Sequence, residues 1–335
     1  MARAAVNQGW QIGAEASGGA GGPADKKLMA YSLEPAPVIE TNQHTPRGYK
    51  VPTVSQLMSE HMAADYEGLI DYRNIVYLFN GLFGPVTPTQ PDAVNAPTVY
   101  LWTWDLDGKT KITPKSYAVE FGEGGSGNAN KFTYGVFTSA EFEVGRTSEN
   151  TVSGEMMGQE LTTAATLTAT PTEIDVEPVD GDHWDIYMAD AGADLESAPT
   201  QLEAIYAASL NFGDLYSPEW AINSSEPSFK SLFESEDQTY EWEMTLGADA
   251  VANAMLTTTA RNSAKKFFRM KATGDIIEDT LGFELGFDFC TVVTDVDSFG
   301  SEDGLYVLPM SFALAYDKTW GKFASISVQT DIASL

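Results

Sequence analysis

Apolar residues recur at every second position through much of the chain. The clearest run sets Tyr240, Trp242, Met244 and Leu246 against Glu241, Glu243 and Thr245, the pattern of a strand with one buried face. Similar alternation marks Thr98–Trp104, Lys115–Phe121, Lys266–Ala272, Phe283–Val293, Tyr306–Tyr316 and Phe323–Val328, with charged and Gly pairs between the later runs marking hairpins. Phe132, Tyr134 and Val136 begin a further run that Ala140, Phe142 and Val144 continue, and the phase slip near Phe137 predicts a bend or bulge. Trp184, Ile186 and Met188 predict a short strand, and Gln201–Phe212 a longer one.

Helical spacing is rarer. Tyr66, Leu69, Ile70, Ile75, Leu78, Phe79 and Leu82 form an approximate stripe that predicts a helix over Ala64–Phe83, ended by Gly84-Pro85 and weakened by Gly68 and Gly81. The Ala-rich stretch Ala248–Ala264 is a second helix candidate. The sum is a mainly β protein of about ten to twelve strands with one or two helices.

Punctuation by Gly and Pro suggests the organisation. Gly18, Gly19, Gly21, Gly22 and Pro23 make residues 1–27 a flexible arm, or one ordered only by a partner. Pro35, Pro37, Pro46 and Pro52 predict an extended loop over 35–52. Residues 28–335 then read as one large β domain with a loop-rich or inserted acidic segment at 171–239. Gly122–Gly127 reads as a linker.

Charge changes this picture. The chain carries 48 acidic against 19 basic residues, a formal net charge of −29, so its surface repels phosphate and disfavours tight nucleic-acid binding. The bias is local: residues 151–260 hold 21 acidic residues and one basic one, and Thr147–Phe229 contains no Lys or Arg. Such a stretch is a solvated acidic surface, or a negative face held out to repel DNA or to meet divalent cations.

Catalytic chemistry finds little support. His44, His61 and His183 form no HExxH or i,i+4 pair. No Ser lies in a GxSxG elbow, and the Gly122–Gly127 stretch lacks the Lys-Ser or Lys-Thr of a phosphate loop. Cys290, the one cysteine, excludes an intrachain disulfide and reads as a buried apolar thiol. The acidic run Asp175, Glu177, Asp180, Asp182 and Asp185 departs from an EF-hand. Neither a cofactor nor a metal is called for, no apolar run reaches the roughly 20 residues of a membrane span, and no enzyme activity is expected.

Several segments in order resemble the major tail tube proteins of long-tailed bacteriophages. They are the Gly-rich N-terminal arm, GLIDYRNIVYLFNGLFG with the Pro-rich turns after it, the aromatic strand TVYLWTW, KSYAVEFG, and FTYGVFTSAEFEVGRTSENTVSGEMMGQELT. The carboxy-terminal part, from Phe268-Arg269-Met270 to GLYVLPMSFALAYD, is similar as well; the long 171–239 stretch departs from the pattern. The resemblance implies a β-sandwich whose subunits form hexameric rings, contribute strands to a continuous inner barrel, and stack into a tube that conducts DNA. It implies tail terminator, tail-tip and tape-measure proteins as partners, transient non-adhesive passage of duplex DNA, assembly in the host cytoplasm and a place in the virion tail.

On that reading Glu141, Glu143, Glu149, Glu155 and Glu160 are candidates to face the channel, since several alternate with apolar neighbours; Thr133, Ser139 and Thr151 suit a lining of short side chains. Trp242, Met244, Phe283, Phe287 and Phe289 are core candidates. Two rivals remain. One is a monomeric β-sandwich module binding glycan or protein, with Trp102 and Trp104 on one strand face as its platform. The other is a capsid or decoration protein of the same particle.

Overall fold

The computed structural model describes residues 8–123, 129–222, 227–302 and 304–335. The protein is mainly β, 53% strand against 8% helix. In chain order the strands are β1 (Gln8–Ala14), β2 (Lys26–Leu28), β3 (Tyr31–His44), β4 (Val54–Leu69), β5 (Tyr100–Leu106), β6 (Tyr117–Glu123), β7 (Ala129–Phe137), β8 (Ala140–Gly145), β9 (Thr151–Gly158), β10 (Thr162–Ala165) and β11 (Thr172–Ile174). There follow β12 (Trp184–Ala189), β13 (Thr200–Gln201), β14 (Ile205–Gly213), β15 (Tyr216–Glu219), β16 (Ser231–Glu234), β17 (Thr239–Gly247), β18 (Lys266–Glu278), β19 (Leu281–Val296), β20 (Gly300–Glu302), β21 (Leu305–Leu314) and β22 (Ala324–Thr330). Helices are short: α1 (Ile75–Phe83), α2 (Asp194–Ser197) and α3 (Ala250–Ala254), the last running on into a π-helical turn, Met255–Ala260.

Nearly all strands belong to one large mixed sheet, mixed because β2 and β11 run parallel. One antiparallel run is β3-β4-β9-β8-β14-β17-β21-β19. A second is β12-β18-β19-β22-β5, and a third β1-β6-β7-β10. β19 serves two runs: Glu284–Phe289 pairs with β22, and Thr291–Val296 pairs with β21. β7 and β8 do the same across the turn Thr138-Ser139, where the phase of the sequence slips.

Alternation explains the core. Tyr66, Val152, Phe142, Leu210, Trp242 and Phe312 project from one side of the first run and are buried. There they meet side chains from the second run: Trp242 lies 4.5 Å from Phe268 and 5.7 Å from Phe289, and Phe142 lies 5.5 Å from Phe287, centroid to centroid. All nine residues of α1 are buried, and its Phe79 touches Trp104, Phe142 and Phe287. The core candidates Trp242, Met244, Phe283, Phe287 and Phe289 are at most 4% exposed.

Several expectations are corrected. The predicted helix over Ala64–Phe83 splits: Ala64–Leu69 ends strand β4, with Ala64 and Tyr66 buried at period two, and only Ile75–Phe83 is helical. The arm predicted over residues 1–27 is largely built into the sheet. Gln8–Ala14 pairs along its whole length with β6, while residues 1–7 lie outside those described. What holds the Gly-rich turn is Glu15, 1% exposed, whose carboxylate accepts hydrogen bonds from the backbone N–H groups of Gly19, Gly21 and Tyr134 at 3.0–3.2 Å. The predicted loop at 35–52 is mostly strand, since β3 runs to His44 in spite of Pro35 and Pro37. Nor is 171–239 peripheral: β12 pairs with β18, and β14 lies between β8 and β17. Most of the Gly122–Gly127 linker lies outside the described residues.

Candidate functional site, an acidic sheet face

The side of the first run away from the core is built of short polar and acidic residues in register. One row crosses seven strands as Ser32, Glu67, Ser153, Glu141, Asn211, Glu241 and Ala313. The next crosses six as Thr151, Glu143, Ser209, Glu243, Ser311 and Asp295. A third is Glu34, Asp65 and Glu155 on β3, β4 and β9. Period two alone produces the arrangement: each acid follows or precedes a buried apolar residue, as Glu141 and Glu143 flank Phe142, and Glu241 and Glu243 flank Trp242.

The rows carry no Lys or Arg, and among the described residues none of their carboxylates joins an ion pair. The bases are elsewhere. Lys266, Arg269 and Lys271 on β18 pair with Asp190, with Asp288 and Glu196, and with Glu284; Lys322 pairs with Asp105. Arg146 follows β8 directly and is the nearest base along these strands.

In the two longer rows acids alternate with Ser, Thr or Asn. Within a row, carboxylates are thereby kept two strand spacings apart, about 9–10 Å, while Glu141 and Glu143, like Glu241 and Glu243, are neighbours along one strand at about 7 Å, inside the screening length of about 8 Å at physiological salt. Ser311 Oγ donates to Glu243 Oε1 at 3.2 Å, so the spacer residues also hydrogen-bond the acids. Only the Glu34-Asp65-Glu155 row sets like charges directly opposite one another, which is destabilising. A face of this kind holds a dense negative potential over short, hydrated side chains and offers a phosphate backbone no cation to grip.

Of the five channel candidates, Glu141, Glu143 and Glu155 lie on this face and are exposed. Glu149 does not share it, being in the β8–β9 connection; Glu160 follows β9 and is half-buried. The strict alternation that places the first three ends at Gly145 and Gly158, so it does not carry to the other two. Sequence reasoning missed Glu34, Asp65, Glu67, Asn211 and Ser209. The alternation Met62, Ala64, Tyr66 against Ala63, Asp65, Glu67 was the available signal.

Other candidate chemistry is structural. Trp102 and Trp104 are 2% exposed and donate through Nε1 to the carbonyls of Ile332 and Gly84, so they form no open platform. Asp180, Asp182 and His183 bring ligand atoms within 4.8 Å of one another, but His183 Nδ1 already accepts the Asp180 N–H at 3.2 Å. Burial pushes the Cys290 thiol up to about 11. No helix among the described residues is long and apolar enough to cross a membrane.

A long hairpin adjoins the acidic face. β4 pairs with β9 only over Met62–Leu69, so the outer part of β3–β4 is a two-stranded ribbon. It exposes Ile39, Tyr49, Val51, Val54, Leu57 and Met58, with Arg47 and Lys50 near its tip. Two-stranded ribbons are marginal on their own, and a row of exposed apolar residues marks a contact surface.

No protein-family profile matches the chain, and no curated protein matches it.

Proposed function

We propose that the chain is a structural, non-enzymatic subunit of a bacteriophage-type tail tube, lining with its acidic face a channel through which duplex DNA slides. One observation carries the reading: eight consecutive strands present three in-register rows of acids and short polar residues without a base among them. Such a wall repels phosphate along its whole width, so DNA passes without sticking.

The fold reads as a β-sandwich, because the inward side chains of this run pack against those of the β18–β19–β22 run. The exposed apolar hairpin suits stacking of one ring on the next, its basic tip being attracted by a protein of net charge −29. The proposal carries with it what the resemblance to tail tube proteins implies: rings of a virion tail, with terminator, tip and tape-measure proteins at the ends and within. The glycan-module reading loses its platform with the burial of Trp102 and Trp104.

Negative-stain electron microscopy of the concentrated protein, across several salt conditions, tests this. Rings or tubes with a central channel wide enough for duplex DNA are expected. Compact monomers under every condition, together with binding to a glycan array, would move the module reading ahead.

A further inference from the structure

We propose that the chain is an internal tandem repeat, and that the junction joining its two repeats is used again between chains, closing rings of three copies. The repeat stands on strand pairing alone; the ring rests on the tube reading.

Residues 8–165 and 184–330 share nine elements in the same order, with β2 and β5 additional in the first and α2, β13, β15, β16 and β20 additional in the second. The first has β1, β3, β4, α1, β6, β7, β8, β9 and β10; the second has β12, β14, β17, α3, β18, the two parts of β19, β21 and β22. Six pairings correspond one to one. β1–β6, β6–β7, β7–β10, β8–β9, β9–β4 and β4–β3 match β12–β18, β18–β19, β19–β22, β19–β21, β21–β17 and β17–β14. The bend between β7 and β8 has its counterpart inside β19. Residues agree at matching places. Trp10-Gln11-Ile12 opens one repeat and Trp184-Asp185-Ile186 the other. The row Ser32, Glu67, Ser153, Glu141 matches Ser209, Glu243, Ser311, Asp295, strand for strand.

The acidic face is therefore two four-stranded faces in series. They join where β8 pairs with β14, with Glu141 opposite Asn211, Phe142 opposite Leu210 and Glu143 opposite Ser209; Phe142 and Leu210 lie on the core side there and are buried. The strand matching β8 is the end of β19, and the strand matching β14 is β3. Both have an open edge. Among the described residues, β18 leaves β19 at Thr291, so Val292–Val296 pairs with β21 alone, and β3 pairs only with β4, its Tyr31 carbonyl accepting from Trp10 Nε1 at 2.9 Å.

Backbone direction fits the two edges together. The Asp297 N–H donates to Pro309 O, so the N–H and C=O of Val296 point away from β21, to the open side. The Leu69 N–H donates to Ala30 O, so those of Leu33 point away from β4. Transposing the β8–β14 register sets Val296 against Leu33 of the next copy and Asp297 against its Ser32; it also sets Asp295 against its Glu34, which lengthens the row of like charges at Glu34, Asp65 and Glu155 by one carboxylate, a cost the backbone ladder and the apolar pair must offset. Pro35, with no N–H, closes the ladder at its far end. Val296 and Leu33 are half-buried and would be covered, as Phe142 and Leu210 are at the internal junction.

Strand number sets the size of the ring. With strands about 4.8 Å apart and tilted about 40°, each takes about 6.3 Å of circumference, so eight strands span about 50 Å. Three chains give a backbone diameter of about 48 Å and, less side chains, a channel of about 38 Å, room for a hydrated duplex. Two chains leave about 22 Å, and six about 86 Å. Six repeats from three chains also account for the sixfold look of a hexameric ring.

The test is disulfide cross-linking of assembled protein carrying Asp295→Cys with Glu34→Cys, a pair whose side chains approach closely across the proposed junction. Cys290 is fully buried and does not interfere. Oxidation is expected to give a non-reducing gel ladder of one, two and three chains that stops at three, with native mass spectrometry of rings reading three chains. Absence of cross-links, or a ladder running past three, overturns the proposal. Tubes seen by microscopy without cross-links would leave the tube reading standing while this one fails; monomers without cross-links would end both.

Discussion

Replacing Asp71 by Asn should make the protein more stable at neutral pH and leave it nearly unchanged at pH 4. Asp71 is fully buried just before α1. Its Oδ2 accepts from the N–H groups of Arg73 and Asn74 and from Asn74 Nδ2, at 3.1, 2.9 and 2.6 Å, and Oδ1 faces the Tyr31 hydroxyl at 3.5 Å. These bonds favour the carboxylate, but desolvation is the larger effect and pushes the group up to about 6. The folded state therefore holds a proton that the unfolded chain releases near pH 4. Stability from this group is fully present below about pH 4 and falls as pH rises through about 6. A shift from 3.8 to about 6 corresponds to roughly 3 kcal/mol lost by pH 7.5. Asn resembles the protonated acid and does not titrate. Urea unfolding of both proteins at several pH values between 4 and 7.5 isolates the residue, since the other acids cancel in the difference. The stability of the Asn variant relative to wild type should rise by about 2.4 kcal/mol across that range. A difference that stays constant with pH would refute the argument.

Asp65→Asn removes the middle charge of the Glu34-Asp65-Glu155 row and should stabilise the monomer by a few tenths of a kcal/mol at low salt, the gain fading at 1 M salt; equal effects in both, by urea unfolding, would contradict it. Trp242→Ala empties the centre of the aromatic core and should cost about 3–5 kcal/mol in the same assay; a change under 1 kcal/mol would count against the packing described. Glu15→Ala leaves the N–H groups of Gly19, Gly21 and Tyr134 without their acceptor. Amide exchange at Gly19 and Gly21 should speed up well before global unfolding; unchanged protection would mean the turn is held otherwise. Cys290 should resist a thiol reagent at pH 8 until denaturant is added; rapid labelling of the native protein would contradict its burial.

Parts of this architecture were legible in the alternation of Tyr240–Leu246 and of Ala140–Val144, because each strand there has one wet and one dry face. Alternation also placed Glu141 and Glu143 together on one face. It failed at Ala64–Leu69, where a strand ending at Leu69 and a helix buried on all sides merged into a false helical stripe. Glycine content misread residues 8–27 as a free arm, since the partner of that turn, Glu15 with Tyr134, is far apart in sequence. The prolines of β3 suggested a loop; on an edge strand with one neighbour they are tolerated, because the N–H they lack points away from the ladder. The repeat was invisible because Trp10/Ile12 and Trp184/Ile186 are two residues among many that diverged. Pairing order, which only folding reveals, is what relates the halves.

The central claim, that the acidic face lines a channel, is tested most directly by a cryo-electron microscopy reconstruction of assembled tubes at a resolution that resolves side chains. The account predicts Glu141, Glu143, Glu155, Glu241 and Glu243 pointing into the lumen, with the β18 bases Arg269 and Lys271 on the outside. A reconstruction with those glutamates facing outward, or buried between subunits, would contradict it.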